Sequence, residues 1–216
     1  MIETVNAFSP TALLEPYIAA RLRPLDAYDP AEAAPRSDFD LNPQSRLPAR
    51  TLAPAAVLIG LVEREAGLTV LLTRRSAALR KHSGQIAFPG GRMDAGETPA
   101  QTALRESWEE VGLDHTYVRL VGLGDAYETG TGFSITPVVG FIRPGFTLQA
   151  YDAEVAEIFE TPFAFLMDAA NHQLRAMTAP DGVERRFYAI EHDGRTIWGA
   201  TAGMVHGLRE RIFGAA

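Results

Sequence analysis

Three glutamates stand close together in the segment RESWEEVG, which covers residues 105–112. On an α-helix Glu106 faces both Glu109 and Glu110, because residues three and four positions apart are neighbours. Two ionised carboxylates ~6 Å apart repel by roughly 3 kcal/mol at an effective dielectric of ~20, before solvent screening. A cation between them would reverse the sign, and hard carboxylate oxygens at this spacing suit Mg²⁺ or Mn²⁺. The alternative is a solvated acidic helix face.

The segment that holds the glutamates carries its own helix-boundary residues. Thr98 can cap the first turn, and Gln101 completes a capping box with it. Gly112 can end the helix in the left-handed conformation. These residues predict a helix over 99–111 with the three glutamates on one stripe. Trp108 on this helix is expected to be partly buried, with an aromatic clamp as the alternative.

The composition of the chain limits its partners. The 216 residues carry 20 basic and 27 acidic side chains, so nothing attracts nucleic acid or an anionic membrane in general, and a phosphate ligand must be held locally. The absence of cysteine excludes disulfides, thiolate metal sites and a cysteine nucleophile. Without a signal-like N-terminus or an apolar run long enough to span a bilayer, we expect a cytoplasmic protein.

The chain divides into an N-terminal part, residues 1–50, and a domain over residues 51–216. The first part contains a predicted helix at 11–22, followed by an extended arm rich in proline and aspartate. In the second part short apolar strands are expected at 54–65, 68–76, 85–91, 118–128, 133–142, 156–163, 184–193 and 195–201. They alternate with helices expected at 99–111, 201–213 and, shorter, at 162–170. This alternation predicts a mixed α/β layered domain. The sequence indicates no function for residues 1–50, which could cover the domain's own core or a partner in a homodimer.

Residues 91–113, GRMDAGETPAQTALRESWEEVGL, resemble the Nudix box, the signature of the Nudix hydrolases. The glycine and charged positions match, and Ser107 stands where the family usually has an aliphatic residue; a small side chain there can still face the core. The resemblance implies the Nudix fold, an α/β/α sandwich with a central mixed sheet. It also implies an enzyme, a Nudix-type pyrophosphatase that uses Mg²⁺ or Mn²⁺ on a nucleotide. Glu97 and Arg105 are then expected to form a structural ion pair.

The same resemblance implies roles for the acidic side chains. Glu106 and Glu110 are the best candidates for metal ligands, and a free carbonyl at Gly90 could add another. Glu109 could complete the ligand shell, bind a second ion or accept a proton from the attacking water. Glu154, in YDAEVAEIFE, is a candidate base from a loop beyond the box. The alternative for Glu154 is an exposed carboxylate without a role.

Residues 71–91, LLTRRSAALRKHSGQIAFPGG, resemble a narrower pattern found in Nudix hydrolases that act on coenzyme A. Such enzymes cleave the CoA diphosphate into 4′-phosphopantetheine and adenosine 3′,5′-bisphosphate. The substrate-binding residues expected from this pattern are Arg75, Arg80, Gly84, Phe88 and Gly91. A guanidinium suits the 3′-phosphate of CoA, and Arg74 and Lys81 add to the local basic cluster. His82 is expected to be a hydrogen-bonded neighbour of the site and not a metal ligand.

Two rival interpretations stay open at the level of sequence. The first is a Nudix hydrolase of another nucleotide derivative, such as ADP-ribose or NADH; only the pattern at 71–91 disfavours it. The second is a Nudix-fold module that binds a nucleotide without hydrolysing it. The intact box disfavours this module, because without hydrolysis three mutually repelling glutamates have no purpose.

Overall fold

The computed structural model describes residues 10–48, 50–77, 84–179 and 182–214. The helices are α1 (Pro10–Ala19), α2 (Pro99–Val111), α3 (Phe163–Met167) and α4 (Ala200–Phe213). The strands are β1 (Arg36–Ser37), β2 (Ala53–Arg64), β3 (Gly67–Arg75), β4 (Ile86–Ala87), β5 (Gly90–Arg92), β6 (Val118–Leu123), β7 (Tyr127–Glu128), β8 (Phe133–Ile142), β9 (Val155–Pro162), β10 (Gln173–Thr178), β11 (Glu184–His192) and β12 (Arg195–Trp198). Among these residues, no helix is both long and apolar enough to cross a membrane.

A mixed sheet forms the centre of the molecule. Within the described ranges it has nine strands, in the order β1-β7-β8-β2-β3-β4, with β5 paired to β2, β6 to β8 and β9 to β3. The β2/β8 and β1/β7 pairs are parallel, and the other pairs of this sheet are antiparallel. Strands β10, β11 and β12 form a separate antiparallel sheet. Strand β2 is apolar on both faces because it lies inside the central sheet.

Helices cover both faces of the central sheet. On one face Val57, Ile59 and Leu61 of β2 belong to a buried cluster with residues of α1, α3 and α4. On the other face the alternating residues Ala56 and Leu58 pack in a cluster that includes α2. The predicted α/β/α sandwich with a central mixed sheet is therefore confirmed.

The N-terminal segment packs on the central sheet. Ile18 of α1 is fully buried in the same cluster as α4, and Arg23 forms an isolated bridge with Leu123. The predicted helix ended at residue 22, but α1 ends at Ala19. The next turn tightens, because the amides of Arg21 and Leu22 bond carbonyls three residues back and Arg23 then pairs with the sheet.

Two predicted strand segments are divided in the structure. Residues 85–91 form β4 and β5, which separate because β4 pairs with β3 while β5 pairs with β2. Residues 118–128 form β6 and β7, both paired with β8. Strand β10 has no counterpart among the predicted strands. All of its residues are exposed, and the alternation of polar and apolar residues in QLRAMT breaks at Ala176–Met177, so the segment is too short and irregular to predict a half-buried strand.

Candidate active site

Helix α2 has the boundaries that its sequence predicts. The Thr98 hydroxyl accepts the Gln101 amide at 3.3 Å, and the Gln101 side chain accepts the Thr98 amide at 2.8 Å. Gly112 ends the helix with φ 66°. Ser107 is buried and its hydroxyl donates to the Ala103 carbonyl at 2.6 Å, so it faces the core, as expected for a small residue at this position.

Trp108 is the clear error on this helix. It was expected to be partly buried, but it is 59% exposed. Ser107 and Val111 lie on the buried stripe of α2, and Trp108 points about 100° away from Ser107 and about 60° away from Val111, beyond the edge of that stripe. The indole therefore extends into solvent.

Arg105 and Glu97 tie the loop before α2 to the helix. The Arg105 Nε lies 2.8 Å from Glu97 Oε1, and a terminal guanidinium nitrogen lies 2.9 Å from Oε2, a bidentate ion pair. The Thr102 hydroxyl also donates to this carboxylate at 2.6 Å. The hydrogen bonds from Arg105 and then Thr102 lower the pKa of Glu97 to about 2.

Glu106 and Glu110 point at the glycine pair of β5. A carboxylate oxygen of Glu110 accepts the Gly90 amide at 3.1 Å, and the Glu110 side chain is only 6% exposed. The Glu106 carboxylate lies against Gly91, where a Cβ atom would be 2.5 Å from its carboxyl carbon. Glu109, on the same stripe, is more open, with its side chain 54% exposed.

Two guanidinium groups contact these glutamates in the described part of the chain. One nitrogen of Arg105 donates to Glu106 at 2.7 Å and to Glu109 at 3.1 Å. A nitrogen of Arg75 lies 3.8 Å from Glu110. Burial nevertheless raises the pKa of Glu110 to about 7, and it also raises the pKa of Glu106. Both carboxylates are thus poorly stabilised as anions.

Glu154 lies in the turn that leads into β9. It is half-buried, and its charge is close enough to raise the pKa of both Glu106 and Glu110. Backbone hydrogen bonds fix the turn: the Glu154 carbonyl accepts the Ser76 amide at 2.8 Å, and the Tyr151 amide donates to the Glu110 carbonyl at 2.9 Å. The fold therefore brings a carboxylate 44 residues away from Glu110 in sequence to the same cluster.

A cavity of about 880 Å³ lies between the central sheet, the start of α4, the three-stranded sheet and the N-terminal arm. Of the predicted substrate-binding residues, Arg75, Phe88 and Gly91 line it, and Gly90 does so too. The three box glutamates are not among the lining residues, but Glu110 accepts the Gly90 amide and the Glu106 carboxylate lies against Gly91. The backbone of Gly90 and Gly91 is thus in contact with both the cavity and the acidic cluster.

The other residues singled out in the 71–91 pattern have different surroundings in the structure. Gly84 is exposed, has φ 71° and donates its amide to the Arg75 carbonyl at 3.1 Å, so it turns the chain back from β3 toward β4. Arg74 is paired with Glu157 at 3.0 Å. Arg80 lies outside the described residues, as do Lys81 and His82. The role expected for each of these residues stays a prediction.

A sequence profile described as "NUDIX domain" matches residues 51–188 of this chain. The chain belongs to the Nudix family. The "Uncharacterized Nudix hydrolase NudL" of Photorhabdus laumondii is 38% identical over 159 residues, which cover 73% of this chain and 84% of the relative. The protein of the same name from Escherichia coli strain K12 / DH10B is 38% identical over 175 residues, or 80% of this chain and 89% of the relative. A solved Ap4A hydrolase complex from C. elegans is 19% identical and covers 51% of this chain and 80% of its own, with a TM-score of 0.46.

The prediction of a Nudix-type pyrophosphatase is thereby confirmed, and the protein is an enzyme. The names of the two curated relatives specify no substrate, so the CoA assignment is still a prediction. The sequence pattern gave no indication that residues of the arm and the three-stranded sheet, such as Leu47 and Met177, line the cavity beside the Nudix box. The arm has no periodicity and the strands lie far along the chain, so only the fold brings them to the site.

The acidic cluster offers oxygen atoms of the kind that bind divalent ions. Glu106, Glu110 and Glu154 supply carboxylate oxygens, and the raised pKa of the first two shows that positive charge would stabilise them. In the arrangement seen across the described ranges, however, no group of three acidic, histidine or cysteine side chains is close enough to hold an ion. Arg105 already donates hydrogen bonds to Glu106 and Glu109, so a metal ion that binds these carboxylates would have to displace those contacts.

Proposed function

We propose that this Nudix hydrolase cleaves the diphosphate of coenzyme A or a CoA derivative, giving 4′-phosphopantetheine and adenosine 3′,5′-bisphosphate. Nudix hydrolases act on nucleoside diphosphate derivatives and generally use an ion such as Mg²⁺ or Mn²⁺. The observation that carries the proposal is the glycine pair Gly90–Gly91, which lines the cavity and also contacts the carboxylates of Glu106 and Glu110. A diphosphate at this end of the cavity would lie next to the acidic cluster.

The metal would be held by Glu106 and Glu110, with Glu109 and the Gly90 carbonyl as further ligands. When bound, it would supply the positive charge that polarises the diphosphate and acidifies an attacking water. The absence of a side chain at Gly91 leaves space for the Glu106 carboxylate. This close approach supports the role of Gly91 in shaping the site.

Glu154 is the residue that we assign to accept the proton of the attacking water. It reaches the cluster from a different element than Glu106 and Glu110, and its turn is fixed by hydrogen bonds to β3 and α2. The Glu109 carboxylate is the alternative acceptor, because it lies on the same helix stripe and is the most exposed of the three box glutamates.

Arg75 is the side chain best situated to hold a phosphate. It lines the cavity, and its Nε is buried without a hydrogen-bond partner among the described residues. An unpaired buried donor is unfavourable, and a phosphate oxygen would satisfy it. Its terminal nitrogen lies 3.8 Å from Glu110, so the same guanidinium adjoins both the cavity and the acidic cluster. Arg80 of the same pattern is proposed to assist.

The direct experiment is a product assay. The purified enzyme is incubated with CoA and Mg²⁺ or Mn²⁺, and the products are separated by chromatography. We expect adenosine 3′,5′-bisphosphate, with CoA preferred over 3′-dephospho-CoA, ADP-ribose and NADH. Absence of this product with either ion would exclude CoA hydrolysis, and a preference for ADP-ribose or NADH would favour the other Nudix activity. Tight nucleotide binding without any product would favour the non-hydrolysing module.

Two substitutions separate the candidate bases. Glu154→Gln should lower kcat by about 10²-fold or more if this carboxylate takes the proton, with little change in KM. Asp152→Asn is the matched control, because Asp152 is exposed in the same turn. Full activity of Glu154→Gln together with loss of activity in Glu109→Gln would transfer the role to Glu109.

A further inference from the structure

Two histidines meet where the hairpin of β10 and β11 packs beside α4. His172 stands directly before β10 and His206 lies on α4, and their Nδ1 atoms are 3.0 Å apart. The Nε2 atom of His172 lies 2.7 Å from the Leu166 carbonyl in α3. The Tyr188 ring, on β11, stacks on the His206 ring with centroids 3.9 Å apart and 20° between the planes. His206 therefore joins α4 to the start of β10 and to β11.

The partners of the ring nitrogens determine where the hydrogens lie. A carbonyl oxygen accepts and does not donate, so His172 carries a hydrogen on Nε2 and donates it to Leu166. In the neutral His172 ring Nδ1 is then an acceptor, and the hydrogen in the 3.0 Å contact belongs to Nδ1 of His206. One hydrogen fits between two nitrogens at this distance. The contact is thus a single hydrogen bond that exists while at least one of the two rings is neutral.

Charged groups from several elements surround His206. On α4 itself, Glu210 faces its Nε2 atom at 3.5 Å. The same carboxylate is bound by Arg36 of β1, and β11 contributes the stacked tyrosine. Burial lowers the pKa of His206; Glu210 opposes this effect, while His172, Arg36 and Arg209 add to it. The ring of His206 is therefore neutral at neutral pH.

Acid adds protons to this pair in two steps with different effects. The first proton goes to Nε2 of His206, next to Glu210, and leaves the hydrogen bond between the histidines intact. The second must go to Nδ1 of His172, where it would face the Nδ1 hydrogen of His206 across 3.0 Å. Two cationic rings cannot share this contact, because no acceptor is left and their charges repel. The rings must then separate.

We propose that the hydrogen bond between His172 and His206 is a pH-sensitive link that holds the hairpin against α4, and that protonation of both rings releases it. The effect reaches the cavity, because Tyr188, His206 and Glu210 line it. A fall in pH thus loosens this wall, separately from the titration of the box glutamates. The link needs no assumption about the substrate; only its effect on substrate binding rests on the proposed function.

Hydrogen exchange of the β10 and β11 amides in EDTA measures the link, because strands released from α4 open more often. Each rate is divided by that of an unstructured peptide at the same pH, and β8 of the central sheet is the internal reference. The released form binds at least one proton more than the linked form. We therefore expect the protection of these amides to fall by at least about 10-fold per pH unit below about pH 6.5.

Three variants isolate the histidine pair. In His172→Asn the amide oxygen can accept the hydrogen from His206 but does not titrate, so the loss of protection should be about 10-fold smaller per pH unit. His172→Phe keeps a ring without an acceptor, and its protection should be low at every pH. His192→Asn is the matched control: His192, on β11, packs against Phe165 with ring centroids 4.5 Å apart, and the variant should keep the wild-type pH dependence.

Nuclear magnetic resonance of the isotope-labelled wild-type protein at about pH 8 gives an independent check. We expect a hydrogen on Nε2 of His172 and on Nδ1 of His206. Other tautomers, constant protection in the wild-type protein, or equal loss in His172→Asn would each overturn the link. Circular dichroism checks that the variants are folded; for one that is not, the wild-type tautomers and exchange profile decide. No substrate or metal is used, so failure of CoA hydrolysis and failure of the link are distinguished.

Discussion

The carboxylate of Glu110 combines deep burial with negative neighbours. Its side chain is 6% exposed, and the charges of Glu106 and Glu154 add to the effect of burial on its pKa. The Gly90 amide and Arg75 compensate only in part. A proton or a metal ion would remove the remaining unfavourable energy, so the two are expected to compete for this side chain.

The pH dependence of stability follows from this setting. The pKa of Glu110 is about 7 in the folded protein and near 4.5 in the unfolded chain. Between these values the unfolded chain loses the proton first, so the free energy of unfolding falls as pH rises, by up to about 3 kcal/mol. Below about pH 4.5 Glu110 is protonated in both the folded and the unfolded protein, and above about pH 7 it is ionised in both. Its contribution to the free energy of unfolding therefore does not change with pH in either range.

Glu110→Gln should remove this slope, because an amide does not titrate. Urea unfolding in EDTA at several pH values between 4.5 and 8 measures it. The variant should match the wild-type protein near pH 4.5 and exceed its stability by up to about 3 kcal/mol at pH 8. A wild-type profile that the substitution leaves unchanged would contradict the assignment.

Gly91→Ala tests the close approach of Glu106 to the β5 backbone. The added Cβ would lie 2.5 Å from the Glu106 carboxyl carbon, so the carboxylate must move. Because displacement of a catalytic group by about 1 Å can cost ~10²-fold in rate, we expect a loss of that order in kcat. Thermal unfolding of the variant shows whether the fold is retained. Unchanged kcat in a folded variant would show that the position of Glu106 is not critical.

At this scale the sequence predicted that the three box glutamates lie on one stripe and that Glu97 pairs with Arg105, but not which cations contact the glutamates. The spacing of Glu106 and Glu110 on a capped helix is a local property, so it could be read directly. The proximity of Glu154, and the contact of one Arg105 nitrogen with two glutamates, depend on side-chain geometry and on the path of a distant loop.

Among the elements, α2 is the most predictable and the arm the least. Helix α2 begins and ends where its capping residues indicate, because caps act over a few neighbouring residues. The arm is held by pairing with β7 and by the side chain of Asn42, contacts between residues far apart in sequence. Its composition alone predicted only an extended segment.

Asn42→Ala tests the attachment of the arm to the hairpin. The substitution removes both hydrogen bonds to the Arg186 backbone, and we expect the free energy of unfolding to fall by about 1–3 kcal/mol. Chemical denaturation provides the measurement, and Gln44→Ala is the control at an exposed position of the same segment. Equal stability of the two variants would mean that the arm is not anchored by Asn42.

Across the whole molecule, the N-terminal segment and the Nudix domain share one core. Ile18 is fully buried with residues of α4 and the central sheet, so this helix covers the domain's own core, one of the two positions that the sequence left open for residues 1–50. A helix and an arm that cover a sheet face are expected to unfold together with that sheet.

Ile18→Ala should therefore destabilise the entire protein, by about 2–5 kcal/mol, while Ile18→Val should cost about 0.5–1.5 kcal/mol. Far-ultraviolet circular dichroism and tryptophan fluorescence should report one coincident transition in each variant. The chain has two tryptophans, Trp108 and Trp198, on α2 and at the end of β12, remote from residue 18 in sequence. An early transition confined to one signal would indicate a separately unfolding segment.

The shared contact of Arg105 with Glu106 and Glu109 has a consequence for the resting enzyme. Arg105 serves as an internal counter-ion, so part of the acidic charge is already neutralised before any metal arrives. Under the proposed function, metal loading would exchange one positive partner for another and would not be a condition for folding. Chelation should accordingly abolish turnover while leaving the melting temperature within a few degrees, and added Mg²⁺ should restore the rate without a refolding step.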